Sequence, residues 1–281
     1  MAMMMRCLQS WPEATGSHAL SAAFQIEAPA DAPQARSPRY NSKASISMTP
    51  TLRLTRELVD KLPQRVDERG PIRVMDPAPE YYDQTAAKII SELHRPGELW
   101  IFAIGSLIWN PRCDVIARKT GLVKGWRRSF CIGPDRRFRG NPSAPGRMLS
   151  LDRGGECCGI ALRMAPDDLK TSLLELLKRE PPHPPEWVQV ETEDETIPAI
   201  AFVVDPNGVM YQAEPPEAEL AEILARAVGH IGSMADYVLN TVTHLEEAGI
   251  HDPHLWHMQA LIAGRLEQLA ASAADASGVV S

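Results

Sequence analysis

Seven short apolar runs occupy the middle of this chain, and together they predict a sheet. Clusters of Pro, Gly and Asp separate the runs, which is typical of strands joined by turns. The runs lie at residues 100–104, 121–123, 126–132, 148–151, 157–162, 187–191 and 197–204. Six or seven strands of this length favour one sheet that is closed or strongly curved.

Helical patterns interrupt and follow these runs. Residues 166–180, PDDLKTSLLELLKRE, repeat leucine at helical spacing, and Pro166 suits the first turn. Three more helices are predicted over residues 216–228, 233–249 and 252–269. Ser233 and Asp252 are suited to cap the last two. Strands combined with helices in this order predict an α+β fold.

Four segments are predicted along the 281 residues. Residues 1–47, rich in Ala, Ser and Pro without a sustained period, are interpreted as a disordered leader, or as sequence upstream of a true start at Met48. Residues 48–97 are predicted to be a helical N-terminal extension. Residues 98–270 then form the main domain, and residues 271–281 a flexible tail.

Charge and hydropathy narrow the expected partners. The chain carries 29 basic and 36 acidic residues, a net charge of −7, so nothing indicates a surface for nucleic acid or an anionic membrane. It has no run of 18 apolar residues, and Pro12 and Glu13 interrupt the stretch that a signal peptide would need. We therefore expect a cytoplasmic protein whose partners are small molecules or proteins.

No metal site is expected. The five cysteines lack the paired C-x-x-C spacing of zinc sites. His254 and His257 are three positions apart on one predicted helix, but no further ligand at a known metal spacing accompanies them.

Residues 100–111, WIFAIGSLIWNP, form an apolar strand that runs into a Gly-Ser pair. Glycine lets the backbone approach another molecule closely, and N–H groups left unpaired at a strand end can hold a carbonyl or an anion. The alternative interpretation is an ordinary turn, which is the commoner use of Gly-Ser.

Glu180 is the second candidate functional residue. It continues the inward stripe of Leu169, Leu173, Leu176 and Leu177, and Pro181 forces it out of the helical conformation. A half-buried carboxylate has a raised pKa and can act as a general base. A salt bridge to Arg179, or a side chain that reaches water, is the alternative.

Several ordered motifs resemble the ChaC family of gamma-glutamylcyclotransferases, which act on glutathione. They are WIFAIGSLIWNP, GWRRSF at residues 125–130, RGNPSAPGRMLSLDRGG at 139–155, CGIALR at 158–163, LLKRE at 176–180 and GIHDPHLW at 249–256. The similarity spans roughly residues 99–269. It implies a small mixed β-barrel with flanking helices and a reaction without metal or cofactor, in which glutathione gives 5-oxoproline and Cys-Gly.

The resemblance also implies roles for particular residues. Glu180 would be the general acid and base, and Arg139 is a candidate to bind a carboxylate of the substrate, with a structural role as its alternative. The turn would hold the gamma-glutamyl group through Ile101, Phe102, Ala103, Ile104, Gly105, Ser106 and Leu107.

Two departures from the family pattern leave other functions open. Ala103 and Ile104 stand where the family usually has Gly-Tyr, so a tyrosine hydroxyl is lost. The segment PPHPPEW after Glu180 is shorter than usual and lacks a common tyrosine, whose place His183 is a candidate to take. The alternatives are a weakened relative that binds gamma-glutamyl compounds or a protein, and a cyclotransferase for other gamma-glutamyl amines.

Overall fold

A closed five-stranded barrel forms the centre of the molecule in a computed structural model that describes residues 51–71 and 77–278. The strands are β1 Trp100–Ala103, β2 Val115–Asp135, β3 Gly146–Met164, β4 Glu186–Glu191 and β5 Thr196–Ala201. The helices are α1 Arg56–Val59, α2 Pro79–Ser91, α3 Leu169–Arg179, α4 Glu217–Arg226, α5 Met234–Glu247 and α6 Pro253–Gly278. This combination confirms the predicted α+β class.

The strands follow the order β1-β3-β2-β4-β5 around the barrel. Their pairings are antiparallel, except that β5 closes the barrel against β1 in parallel through Ile101 and Ile200. β1 is thus paired with β3 on one side and with β5 on the other. The turn that follows Ala103 therefore begins at the end of a strand that is held on both sides.

Two long strands replace four of the predicted runs. The separation of residues 121–123 from 126–132, and of 148–151 from 157–162, was wrong, since β2 and β3 are each continuous. The register shifts between Lys124 and Trp126, where Gly125 has a φ of +81°. Glycine adopts this backbone without a penalty, so the residue that was interpreted as a turn is a bulge that bends the ladder without ending it.

Helix α3 packs its predicted leucine stripe into the core. Leu169, Leu173, Leu176 and Leu177 are all buried. The helix begins three residues later than predicted, because Asp168 has a left-handed backbone with φ +54° and cannot belong to a right-handed helix.

The C-terminal helices begin at the predicted caps. Ser233 Oγ accepts a hydrogen bond from the Asp236 N–H at 3.0 Å, and Asp252 Oδ1 accepts one from the Leu255 N–H at 2.9 Å. Between α4 and α5 lies a short hairpin of β6 Val228–Gly229 and β7 Gly232–Ser233. Helix α6 continues to Gly278, so residues 271–278 of the predicted tail are helical, as their alanine content favours.

The N-terminal extension contributes two helices. Helix α1 packs against α5 and α6, and α2 packs against α3. The predicted leader, the choice between Met1 and Met48, and residues 279–281 lie outside the described residues. Among the helices of the described ranges, none has the length and apolar character needed to cross a bilayer.

Candidate active site

The backbone turns sharply where β1 ends. Gly105 has φ −142° and ψ −129°, and its carbonyl accepts a hydrogen bond from the Ile108 N–H at 2.9 Å, which starts a short 3-10 helix over Ser106–Ile108. Within the described residues, neither the Gly105 N–H nor the Ser106 N–H donates to a protein acceptor. The turn therefore offers two adjacent backbone donors, as its sequence predicts.

Tyr237 explains why the turn needs glycine. A Cβ atom built on Gly105 would lie 2.5 Å from the Tyr237 hydroxyl oxygen. Tyr237 extends from α5 and is 2% exposed, so it has little room to move. Burial, with a smaller contribution from the Glu180 charge, raises the pKa of Tyr237 to about 12 against the opposing charge of Arg139. The hydroxyl therefore stays protonated beside the turn.

Glu180 lies where α3 ends and the chain enters Pro181. Its backbone is extended, with φ −82° and ψ 162°, as a residue before proline requires. Its side chain is 17% exposed, and burial raises the pKa of the carboxyl even though the Arg179 charge opposes this effect. The predicted half-buried carboxylate with a raised pKa is therefore present.

Arg179 connects this carboxylate to the turn. Its Nε lies 3.7 Å from Glu180 Oε1, and its Nη2 donates to Ser106 Oγ at 3.2 Å. Its Nη1 donates to the carbonyl of Asn110. The salt bridge considered as an alternative for Glu180 thus exists, but it is long. Arg179 thus connects Glu180 to the Ser106 turn, and its charge does not return the pKa of Glu180 to the usual range.

Arg139 lies over the ring of Tyr237. Its guanidinium is 5.2 Å from the centre of the Tyr237 ring and 5.8 Å from that of Trp109. Nη1 donates to the Ser233 carbonyl at 2.9 Å and lies 3.5 Å from Asp236 Oδ2. Arg139 therefore has structural partners, and it is also one of the residues that line the cavity.

One cavity of about 980 Å³ joins these groups. Of the predicted site residues, it is lined by Phe102, Ile104, Gly105, Ser106, Leu107, Arg139 and Glu180. Ile101 and Ala103 are not among its lining residues, because both are fully buried in the barrel wall on alternate positions of β1. Cations outnumber carboxylates around it, with Arg112, Arg136, Arg137, Arg139, Lys178 and Arg179 against Asp135, Glu175 and Glu180.

The roles of two residues of this site were not predicted from the sequence. Tyr237 lies 132 positions after Gly105 along the numbering, on a helix whose pattern indicated only core packing. Arg179 entered only as an alternative partner of Glu180. His183 does not line the cavity, and its Nδ1 lies 2.9 Å from the Pro184 carbonyl. The tyrosine hydroxyl beside the turn is supplied by α5.

The family model described as ChaC-like protein matches residues 99–265, which hold the barrel, α3 and most of the C-terminal helices. The chain belongs to the ChaC family. This confirms the resemblance drawn from the sequence motifs.

Individual relatives of this ChaC chain agree. It is 36% identical over 180 residues to the glutathione-specific gamma-glutamylcyclotransferase of Escherichia coli (strain K12), covering 62% of this chain and 78% of that protein. It is 27% identical to glutathione-specific gamma-glutamylcyclotransferase 1 of Danio rerio, covering 58% and 88%.

A solved structure supports the fold. The gamma-glutamyl cyclotransferase specific to glutathione from yeast matches with a TM-score of 0.53 and 16% identity, over 59% of this chain and 95% of that one. The ChaC chain therefore shares the gamma-glutamylcyclotransferase fold, as the resemblance implied.

Proposed function

We propose that this ChaC protein is a glutathione-specific gamma-glutamylcyclotransferase, a lyase that converts glutathione to 5-oxoproline and Cys-Gly. The observation that carries the proposal is Glu180, a half-buried carboxylate of raised pKa held by Arg179 beside the Ser106 turn. The names of the relatives support the choice of glutathione. The cytoplasmic location stays a prediction.

The reaction is an intramolecular aminolysis. The α-amine of the gamma-glutamyl group attacks its own γ-carbonyl carbon, a C–N bond forms to close a five-membered ring, and the C–N bond to the cysteine residue breaks. The amine is mostly protonated at neutral pH. Glu180 takes its proton and returns one to the leaving nitrogen, which contributes on the order of 10²–10⁴ in rate.

The turn stabilises the charge that develops during attack. Gly105 and Ser106 line the cavity, and their N–H groups have no protein acceptor within the described ranges, so in our proposal they donate to the γ-carbonyl oxygen as it becomes anionic. One such donor typically contributes about 3–4 kcal/mol to the transition state. The neutral Tyr237 hydroxyl lies beside the same atoms, so it is a further donor in our proposal.

The cation excess of the cavity fits the charge of glutathione. This tripeptide carries two carboxylates and one ammonium group, so its net charge is −1 at neutral pH. Guanidinium groups bind carboxylates in two-point geometry, and Arg139 on the cavity wall stays our candidate for one of them. Holding the chain folded for ring closure then lowers the barrier through proximity.

A matched pair of variants tests the general base. Glu180→Gln keeps the size of the side chain but cannot take a proton, so we expect turnover to fall by about 10²-fold or more. Glu175→Gln, an exposed carboxylate on α3 at the same cavity, is the control and should retain activity. Formation of 5-oxoproline and Cys-Gly is followed by mass spectrometry. A Glu180→Gln protein as active as its parent contradicts the mechanism.

The pH profile and the substrate range complete the test. Because Glu180 must be ionised and its pKa is raised, kcat/KM should fall with decreasing pH already above the usual carboxyl range. Gamma-glutamyl-alanine and gamma-glutamyl-lysine are compared with glutathione. Equal rates on all three would contradict specificity for glutathione, and binding without any product would indicate a binder.

A further inference from the structure

Arg128 is a buried cation that the proposed mechanism has not used. It lies on β2 with its side chain 3% exposed, and its guanidinium contacts three different elements. Nε donates to the Ile104 carbonyl at 2.9 Å, and Nη2 donates to the Cys158 carbonyl at 2.7 Å. Nη1 pairs with Asp252. An arginine is always charged, so this position holds a fixed fork of donors.

The contact with Ile104 fixes the direction of the next N–H group. In a planar trans peptide the C=O and the following N–H point in opposite directions. The Ile104 carbonyl points to Arg128, which is not among the residues that line the cavity, whereas Gly105 does line it. The Gly105 N–H is therefore turned away from Arg128, toward the cavity.

Asp252 in turn holds the guanidinium. Its Oδ1 caps α6 through the Leu255 N–H, and its carboxylate also pairs with Nη1 of Arg128. The Arg128 side chain thereby connects Asp252, at the start of α6, to the turn after β1. Lysine cannot replace this arrangement, because a single ammonium group cannot reproduce the planar fork.

We propose that Arg128 is a positioning residue, which holds the Ile104–Gly105 peptide so that the Gly105 N–H donates to the γ-carbonyl oxygen. The proposal rests on the proposed function of the turn. Arg128 itself touches no reacting atom. It orients the Gly105 N–H, whose hydrogen bond to the γ-carbonyl oxygen strengthens as negative charge develops there. Loss of this orientation should therefore lower kcat and leave KM nearly unchanged.

Three variants test this role in the full chain with glutathione. Arg128→Lys should lower kcat by about 10- to 100-fold with a small change in KM. Asp252→Asn keeps an oxygen that can cap α6 but loses the charge that holds Arg128, so we expect a smaller drop in kcat with the helix intact. Arg127→Lys, the adjacent exposed residue of β2, is the control and should stay within about twofold of the parent.

A readout independent of turnover separates positioning from stability. In the Glu180→Gln background, glutathione stays intact, and the amide NMR resonance of Gly105 should shift when it binds. Arg128→Lys should reduce that shift and Arg127→Lys should not. Should Arg128→Lys not fold, Asp252→Asn carries both measurements, because it keeps the Arg128 side chain, and we expect it to lower kcat and to reduce the Gly105 shift.

The outcomes are distinct. A parental chain that does not turn over glutathione overturns the proposed function, while the Gly105 resonance still decides whether Arg128 orients that amide. Unchanged kcat in folded Arg128→Lys, or a Gly105 shift equal to that of the control, overturns the positioning role. Lower stability with normal kcat also overturns it, because a purely structural residue gives that result.

Discussion

At the scale of single residues, Gly105 and Tyr237 lie in contact, and there is no room between them for a Cβ atom on residue 105. The Tyr237 hydroxyl occupies the place where any other residue at position 105 would put its Cβ. Two functions therefore depend on the same contact, namely the shape of the turn and the location of a neutral phenol. Isoleucine at position 104 has no hydroxyl, so the phenol at this turn is the one that Tyr237 supplies from α5.

A double-mutant cycle measures this contact. We expect Gly105→Ala to destabilise the protein by about 1–3 kcal/mol, because Tyr237 is too buried to withdraw. The same variant should lose about 10²-fold in turnover, since the turn moves. Tyr237→Phe removes the clashing oxygen, so Gly105→Ala should cost less in that background, with a coupling of about 1 kcal/mol in urea unfolding. Strictly additive costs would show that the two residues do not interact.

At the scale of elements, the glycines of β2 serve two different purposes. Gly121 lies where β2 meets β4, and a Cβ there would overlap Val190 and approach the Glu191 carbonyl to 3.0 Å. Gly125 has a φ of +81° and open space around it. The first glycine permits close approach of two strands, and the second permits a left-handed backbone.

Substitutions should separate these purposes. Gly121→Ala is expected to cost about 1–3 kcal/mol, because β4 must move away from β2 and the pairing between these two strands weakens. Gly125→Asn should cost under about 1 kcal/mol, since asparagine tolerates the left-handed region. Urea denaturation of both variants checks this. A larger cost at Gly125 than at Gly121 would contradict the proposed distinction.

Local signals predicted those elements whose cause is local. Helix α3 with its leucine stripe, the caps at Ser233 and Asp252, and the extended Glu180 before Pro181 all follow from neighbouring residues, and the structure has them. The continuity of β2 through Gly125 was missed, because a glycine bulge and a glycine turn look alike in sequence.

Long-range contacts were beyond this kind of prediction. Tyr237 reaches Gly105 only because α5 packs on the turn, and no periodicity specifies that pairing. Arg128 was one of several arginines between residues 127 and 147, and nothing in the sequence distinguishes the two buried ones, Arg128 and Arg139, from the rest. Local patterns therefore predicted the turn and the position of Glu180 at its helix end, whereas the contacts of Tyr237 and Arg128 depend on the tertiary fold.

At the scale of the whole molecule, Glu214 joins the barrel to the helical layer. It lies between β5 and α4, and its carboxylate accepts hydrogen bonds from the Phe130 N–H at 2.6 Å and Ser129 Oγ at 3.1 Å. His254 of α6 lies 3.0 Å from it. Burial alone would lower the pKa of His254, but Glu214, together with Asp252 and Glu217, raises it. The hydrogen bonds from His254, the Phe130 N–H and Ser129 in turn lower the pKa of Glu214.

Stability should therefore depend on pH through this pair. Because the pKa of His254 is raised in the folded protein, its protonated form stabilises the fold below about pH 6.5, the usual histidine pKa. This stabilisation is lost as the pH rises through the pKa of the folded state. Because the pKa of Glu214 is lowered in the folded protein, its ionised form stabilises the fold above about pH 4.3, the usual glutamate pKa. This stabilisation is lost as the pH falls through the pKa of the folded state. His254→Gln should thus cost roughly 1–3 kcal/mol near pH 5.5 and less at pH 9, in urea unfolding.

His257→Gln is the matched control, because His257 lies on the same helix in an exposed pair with Glu217. We expect it to cost under about 1 kcal/mol with little pH dependence. If His254→Gln had the same cost at both pH values, the ion pair would not be the source of the stabilisation.

The parallel contact between Ile101 and Ile200 has a consequence for folding order. About a hundred positions separate the two residues, and contacts of such sequence separation form slowly because a long loop must close first. β1 can pair with β3 as soon as β3 has been synthesised, but the barrel cannot close until its last strand, β5, is present. Since the turn at Gly105 follows that first strand, a chain that ends before β5 would contain Gly105, Ser106 and Glu180, yet the strand before the turn would be held on one side only.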